Sequence, residues 1–401
     1  MLREYESILN AKHIWIYGAG IYGHKAAEIF SQSFLEDKVT GVVVSCKENN
    51  PPKVSKYTVY ELGDIHTPME TSLFIIAVSE EKSEEIINVL RSVGYHNYIV
   101  WNEGLIRSIF CLTPHRFEDR RRNLDKVCFV LCGYKEFLWD RMFERLERFV
   151  PEDVEVCILS SGITCERLSA IAEKNRWSYL STENNDITLI QNIAVTMFPE
   201  AEWIFKMDED IFLTEKCFEH LWKMYDIVER EAPYQVGMIA PLIPVNGYGY
   251  IRILKRLDKL RQYEDKFGRA FYGGNAESRI EKDVAAAKYM WGMTGDIPQI
   301  DVLNAIVSQS EDYSVCGVRF SIGFILFKRS LWISMNGFTV TGAKDLGIDE
   351  IELCKYCMIH SKAIIVAENV AVGHFSFGKQ TEGMKELYED RPELFQIKEP
   401  Q

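Results

Sequence analysis

No stretch of this 401-residue sequence approaches the roughly twenty consecutive apolar residues that a membrane-spanning helix needs. No leader is expected either, because residues 1–12 are polar and run straight into a strand-like segment. Basic charge is in short supply: 46 Lys and Arg face 59 Asp and Glu, a formal net charge of -13, which argues against nucleic acid as the main partner. Cysteine lacks the spacing of a zinc ribbon. The ten cysteines are scattered, Cys128, Cys132 and Cys157 sit in apolar runs, and the C-x-x-C of Cys354 and Cys357 has no second pair. Reduced thiols in a cytosolic protein fit that usage, and a helix interior fits Cys354 and Cys357. Internal repeats and low-complexity tracts are absent. What remains is an ordinary globular composition, 47% hydrophobic and 26% charged, long enough for two or three domains with their own cores.

The stretch 202–212 reads E-W-I-F-K-M-D-E-D-I-F. Trp203, Ile204 and Phe205 favour a buried strand, which stops at Asp208, Glu209 and Asp210. Three adjacent carboxylates repel one another and need compensation, from water or from a divalent cation. Carboxylate oxygens are the ligands that Mg²⁺ and Mn²⁺ prefer, with substrate phosphates completing the shell. The strand end of an open α/β sheet is also where ligands bind. The triplet is therefore a candidate metal–diphosphate site, although an isolated D-x-D is more often a solvated acidic turn.

Near the start, H-I-W-I-Y-G-A-G-I-Y-G-H-K-A-A-E-I-F places Gly18, Gly20 and Gly23 between a short apolar strand and a helix. In this G-x-G-x-x-G pattern, glycines permit a tight turn and let phosphate approach a helix N-terminus. Strands over 39–44, 73–78 and 98–101 and a helix over 83–93 complete a small doubly wound domain, residues 1–110. The second strand ends in Ser45 and Cys46, with Glu48 further out, where an NAD site calls for an acid. The domain resembles the small Rossmann-like domains attached to bacterial polysaccharide-biosynthesis enzymes. That resemblance implies at most nucleotide or sugar-nucleotide binding at Gly18, Gly20 and Gly23, and a purely structural turn is an equal reading. Residues 111–125, with Arg120, Arg121 and Arg122, are polar and basic and read as a linker or surface helix.

A second α/β pattern begins at Lys126. Strands over 127–131, 154–159 and 177–180 alternate with helices over 137–149, 165–174 and 187–197, which predicts a mostly parallel sheet. The order strand, C-G-Y, helix, strand, S-S-G, helix, Q-N-I-A, strand, D-E-D resembles the nucleotide-binding half of a GT-A-fold glycosyltransferase. Later stretches agree: F-S-I-G-F-I-L-F-K-R-S-L-W with M-N-G-F, G-I-D-E-I-E-L-C, and V-G-H-F. The likeness covers residues 126–380. It implies that Cys132, Tyr134, Ser161, Asn192 and Asp208 surround a UDP- or GDP-sugar. It implies that Asp208, Asp210 and His374 hold Mn²⁺ or Mg²⁺. It further implies that Asp349, with Glu350 beside it, supplies the base of an inverting transfer. Ser160 and Ser161 stand where many members carry an Asp that contacts the base, so the nucleotide stays open.

The expected architecture is therefore α/β: the Rossmann-like domain, then a GT-A-like domain over 126–401 with an acceptor-side insertion at 241–319. Within that insertion Ile253, Leu254, Leu257 and Leu260 share one face of a helix that also carries Arg252, Lys255, Arg256, Lys259 and Arg261. Its basic side is either solvated or a peripheral contact with a membrane or lipid-linked diphosphate. The expected activity is metal-dependent sugar transfer to a glycan or lipid-linked saccharide, in surface polysaccharide biosynthesis, in the cytoplasm or at the inner membrane face. A nucleotide-sugar oxidoreductase or epimerase using the glycine loop stays as an alternative, weakened by the missing acid and by the lack of a suitably placed Tyr-x-x-x-Lys. An inactive sugar-nucleotide-binding module is the third reading.

Overall fold

The computed structural model describes residues 2–273, 279–340 and 347–398. The chain divides into two compact units. The first comprises Met1–His115, Glu183–Met197 and Ile333–Asp345; the second comprises Arg116–Thr182, Phe198–Trp332 and Leu346–Gln401. Both are α/β with largely parallel sheets. No helix among the described residues is long and apolar enough to cross a membrane.

The first unit opens with α1 (Leu2–Asn10), β1 (His13–Tyr17) and α2 (Ile21–Ser31), followed by β2 (Val39–Val44). A short ribbon, β3 (Lys53–Val54) and β4 (Tyr57–Glu61), comes next, then β5 (Ser72–Ile76), α3 (Glu80–Ser92), β6 (Tyr98–Val100) and α4 (Glu103–Cys111). The strands line up as β3-β4-β2-β1-β5-β6, parallel except for the β3–β4 pair. Strand order reverses at β1, so the glycine turn that follows it lies at the switch point of the sheet. The continuous burial of β5 is what a strand covered on both faces requires. Trp15, Tyr17, Val43, Phe74, Ile86 and Leu90 form the core of one face.

Two of the three glycines have a packing reason. A Cβ on Gly23 would lie 1.9 Å from the carbonyl oxygen of Gly18, and one on Gly18, whose φ is +123°, would lie 2.5 Å from that of Ala77. Gly20, just before α2, faces open space. Ser45 hydrogen-bonds the buried Tyr17 hydroxyl at 2.7 Å. The later segments of this unit are tied in by polar contacts. The Asn192 amide donates to the Phe338 carbonyl at 2.7 Å, its oxygen accepts from the Phe338 N–H at 2.9 Å, and Gln32 accepts from the Val340 N–H at 2.9 Å.

The second unit is built on a nine-stranded sheet. Its strands begin with β7 (His115–Glu118) and β8 (Lys126–Leu131), followed by α5 (Trp139–Phe149), β9 (Glu155–Ser161), α6 (Glu166–Asn175) and β10 (Ser178–Thr182). The chain then supplies α7 (Ile187–Met197) to the first unit and returns as β11 (Trp203–Asp208) and β12 (Ile211–Phe212). Next come α8 (Cys217–Glu231), β13 (Gln235–Leu242), α9 (Gly249–Arg256), α10 (Leu260–Phe267), α11 (Val284–Met290) and α12 (Ile300–Val307). The last elements are β14 (Tyr313–Val315), β15 (Phe324–Lys328), α13 (Arg329–Met335), α14 (Ile348–Ile359), β16 (Lys362–Ala371), β17 (Gly373–His374) and α15 (Thr381–Asp390). The strand order is β14-β16-β13-β15-β11-β8-β9-β10-β7. β8 pairs in parallel with both β9 and β11, so the order reverses at β8, while β15 runs antiparallel to β11. Apart from the sheet, β12 and β17 form a two-stranded ribbon that pairs Ile211 with His374.

Two local expectations change. The stretch 111–125 is not all linker: it ends α4 and supplies β7 at the sheet edge, where Arg120 donates to the Trp177 carbonyl at 3.1 Å. The basic helix expected through Leu260 breaks at Asp258, which takes φ +53°, and becomes α9 and α10. Arg252 there is paired with Glu368 at 2.6 Å and Arg256 with Asp312 at 3.4 Å, so part of that basic side is neutralised within the protein. Cys354 and Cys357 are buried free thiols inside α14.

Arg145 on α5 organises the periphery of this unit. It is fully buried and grips Asp301 of α12 with two bonds, 2.8 and 3.0 Å. It also donates to the carbonyls of Leu213 at 2.7 Å and Gln396 at 3.0 Å. Asp301→Ala leaves a buried guanidinium without its counter-charge and is expected to cost about 3 kcal/mol, measured by urea unfolding. In the first unit, Gly23→Ala forces the turn after β1 apart. Its melting should fall while the second unit, followed by hydrogen exchange, keeps its protection.

Candidate functional site

The C-terminal ends of β8, β9 and β11 bring Cys132–Lys135, Ser161 and Asp208–Asp210 to one edge of the second unit's sheet. Asp208 is opposite Leu131 in the β8–β11 register, so the acids begin where the apolar strand stops. The three acids then diverge. Glu209 is buried and turns back on the loop after β8. Its carboxylate accepts from the N–H groups of Gly133 and Tyr134, both at 2.9 Å, and from the Trp139 indole at 2.7 Å. Gly133, at φ +151°, lets the loop curl around it. Glu209 thus shapes the loop, and its oxygens are taken.

Asp210 is buried, and its Oδ2 carries two partners: the Lys135 ammonium and His374 Nε2, the latter at 3.3 Å. The β12–β17 ribbon delivers His374 there. Burial works to raise the Asp210 pKa, but Lys135 and His374 outweigh it and hold the carboxyl well below its ordinary range. His374 Nδ1 is buried with no hydrogen-bond partner among the described residues. The backbone of His374 is steadied by the Trp291 indole, which donates to its carbonyl at 3.0 Å.

Asp208 keeps about a third of its side chain exposed, 32%, and pairs through Oδ1 with Lys206 at 2.6 Å. Burial and the neighbouring carboxylates Asp210 and Asp349 raise its pKa, against the pull of Lys206. Lys206 is two residues back on β11, projects from the same face, and is almost wholly buried. Its ammonium also lies 3.9 Å from Asp349 Oδ2. Asp349 is buried in the first turn of α14, which follows Gly347 at φ +80°. Its neighbour Glu350 is clamped by Arg319, and burial, opposed by that guanidinium, raises the Glu350 pKa.

The other expected residues place as follows. The Cys132 thiol is buried, and burial pushes its pKa well up, so it is an inert wall. Tyr134 stands 62% exposed at the rim, its hydroxyl tied to the Ser161 carbonyl at 2.8 Å. Asn192, Gly18, Gly20 and Gly23 belong to the first unit. A cavity of about 880 Å³, lined by Arg148, His220, Lys223 and Asn304, contains none of the expected residues.

Among the described residues no three His, Cys, Asp or Glu side chains converge as a metal cluster. Of the expected ligands Asp210 and His374 come together, whereas Asp208 is engaged by Lys206. Carboxylate oxygens are nonetheless the donors that Mn²⁺ and Mg²⁺ prefer, with substrate phosphates completing the shell. Asp210 meets His374 through Nε2, so these two side chains are the ones placed to hold such an ion; the unpartnered Nδ1 is the ring nitrogen that does not face Asp210. Sequence reasoning missed Lys135, Lys206 and Arg319. A lysine in the otherwise apolar run W-I-F-K-M-D was the available signal for Lys206.

No family model matches the sequence. Among curated proteins, flap endonuclease 1 of Heterostelium pallidum is 25% identical over 134 residues, 31% of this chain and 32% of that protein. Among solved structures, the mannosyltransferase PcManGT from Pyrobaculum calidifontis, in complex with GDP-Man and Mn²⁺, is similar at 14% identity and a TM-score of 0.35. That similarity covers 67% of this chain and 62% of the other. The chain thus spans about a third of the endonuclease and less than two thirds of the mannosyltransferase.

Glu209→Ala removes the acceptor of two backbone N–H groups and one indole at once. Since a buried donor left unsatisfied costs about 1–3 kcal/mol, urea unfolding should show a loss of at least that size, with far-UV circular dichroism unchanged.

Proposed function

We propose that this protein is a glycosyltransferase that moves a sugar from a UDP- or GDP-linked donor to a hydroxyl of a glycan or lipid-linked saccharide. The observation that carries this reading is the reversal of strand order at β8 combined with two buried carboxylates, Asp210 and Asp349, each beside a lysine. The switch point is where an open α/β sheet takes its ligand. Paired carboxylates in distinct settings suit the two halves of the chemistry, holding the leaving group and accepting a proton.

In this reading the exposed ring of Tyr134 lies under the nucleotide base, oriented by its bond to Ser161, and Cys132 closes the wall behind it. Asp210 and His374 would hold Mn²⁺ or Mg²⁺, which when bound offsets the charge gathering on the departing diphosphate. Asp349 accepts the proton of the acceptor hydroxyl while that oxygen bonds to the anomeric carbon and the carbon–oxygen bond to the diphosphate breaks. Attack from the face opposite the diphosphate inverts the anomeric configuration. The Lys206 ammonium lies 3.9 Å from Asp349 Oδ2. Glu350, held by Arg319, positions the first turn of α14. In this proposal the second unit forms the core of the transferase portion, expected over residues 126–401, and the first unit, which includes residues 1–110 together with 183–197 and 333–345, is an accessory domain of nucleotide-binding type. The biological setting we favour is surface polysaccharide synthesis on the cytoplasmic side of the membrane.

A panel of UDP- and GDP-sugars scored for donor turnover with Mn²⁺ tests the activity, and failure of every donor together with absent nucleotide binding refutes it. Asp349→Asn keeps shape and removes basicity. Turnover should fall about 10²-fold or more, while the affinity for UDP or GDP by calorimetry stays close to the parent's. Near-normal turnover, or NMR showing retained anomeric configuration, would assign the base elsewhere.

A further inference from the structure

Asp210 is a buried carboxylate with two partners on one oxygen, and the two differ in freedom. His374 is itself buried and fixed by the β12–β17 pairing. Lys135 reaches in from the rim: its side chain is 27% exposed while that of Asp210 is 3% exposed. The backbone beneath Lys135 is anchored independently, because Glu209 holds the N–H groups of Gly133 and Tyr134. The ammonium can therefore withdraw by rotation of its own flexible stem, leaving the loop in place. Lys206 has no such freedom, being buried between Asp208 and Asp349.

We infer that Lys135 and a divalent cation are alternating partners of Asp210, and that Lys135 turns to the donor's diphosphate when the cation binds. The inference rests on the transferase reading and deepens it. A buried carboxylate without a counter-charge is strongly disfavoured, so the nucleotide-free protein needs the lysine. A divalent ion on the same oxygen repels the ammonium at contact distance and evicts it. The evicted ammonium, with three donors on a four-carbon stem, stays beside the phosphate oxygens that complete the cation's shell. Eviction opposes cation binding until phosphate is present to receive the lysine. Metal and nucleotide are thereby coupled, which limits idle occupation of the site by the metal alone.

The test uses the full chain with Mn²⁺, UDP and GDP as probes. Mn²⁺ affinity without nucleotide is read from the electron paramagnetic resonance of free Mn²⁺, and nucleotide affinity at saturating Mn²⁺ by calorimetry. Lys135→Met should tighten Mn²⁺ alone and weaken the nucleotide, each by about tenfold, the worth of one charge-assisted contact. Lys135→Arg, which keeps the charge and guards against a folding defect, should leave Mn²⁺ affinity nearer the parent's. Opposite signs in the methionine variant are the signature, since a merely structural role moves both affinities the same way. Unchanged or weakened Mn²⁺ binding in Lys135→Met overturns the exchange. If the parent binds UDP or GDP equally well in EDTA and Lys135→Met does not, the lysine is a permanent substitute for the cation; the exchange fails and the transferase reading survives. Absence of nucleotide binding in the parent under all conditions refutes both.

Discussion

Four of the carboxylates gathered around the end of β11 are each compensated by a cation. Asp208, Asp210, Asp349 and Glu350 each meet a basic group, respectively Lys206, Lys135, Lys206 and Arg319. Remove the cations and either the acids take up protons or the strand ends move toward water. Lys206 joins the end of β11 to the start of α14, while the loop after β8 takes its course from Glu209. Lys206 is the centre of the arrangement, because its single charge serves acids on two elements distant in sequence.

The acidic triplet therefore does three different jobs. Asp208 and Asp210 flank Glu209, yet only Glu209 is wholly committed to neutral donors, two backbone N–H groups and the Trp139 indole. It makes the segment 132–135 a fixed ledge, and the exposed Tyr134 ring and the Lys135 ammonium project from it. A ledge held by a buried carboxylate can present mobile side chains without itself moving. In the proposed transfer, that property would serve binding of the charged donor and release of the diphosphate.

The first unit teaches a different lesson about motifs. Gly18 and Gly23 are demanded by contact with neighbouring carbonyls, and this would be so with or without a ligand. Only Gly20 leaves space that packing does not explain. Ser45, in the place where a ribose-binding acid was sought, is bonded to Tyr17. A G-x-G-x-x-G turn can thus be the geometry of a strand–helix junction, with any phosphate-binding role resting on one glycine.

The alternation of apolar strands and amphipathic helices was readable from the residues alone, because parallel sheets covered on both faces impose long apolar runs such as V-C-F-V-L and W-I-F. Short or exposed elements escaped: β3, β4 and β7 are two to five residues long and half-solvated, so burial leaves little trace in them. The break between α9 and α10 escaped as well, since Asp258 adopts a left-handed conformation that its neighbours do not announce. The local pattern also singled out Asp208 and Asp210 as residues able to hold a cation, and the resemblance to GT-A-fold glycosyltransferases pointed to Asp349 and His374. Their partners were decided only by tertiary structure. Lys135 and Asp210 lie 75 positions apart, and Arg319 and Glu350 lie 31 apart. A salt bridge depends on distance in space, and no periodicity along the chain encodes which two charges the folded sheet will bring together.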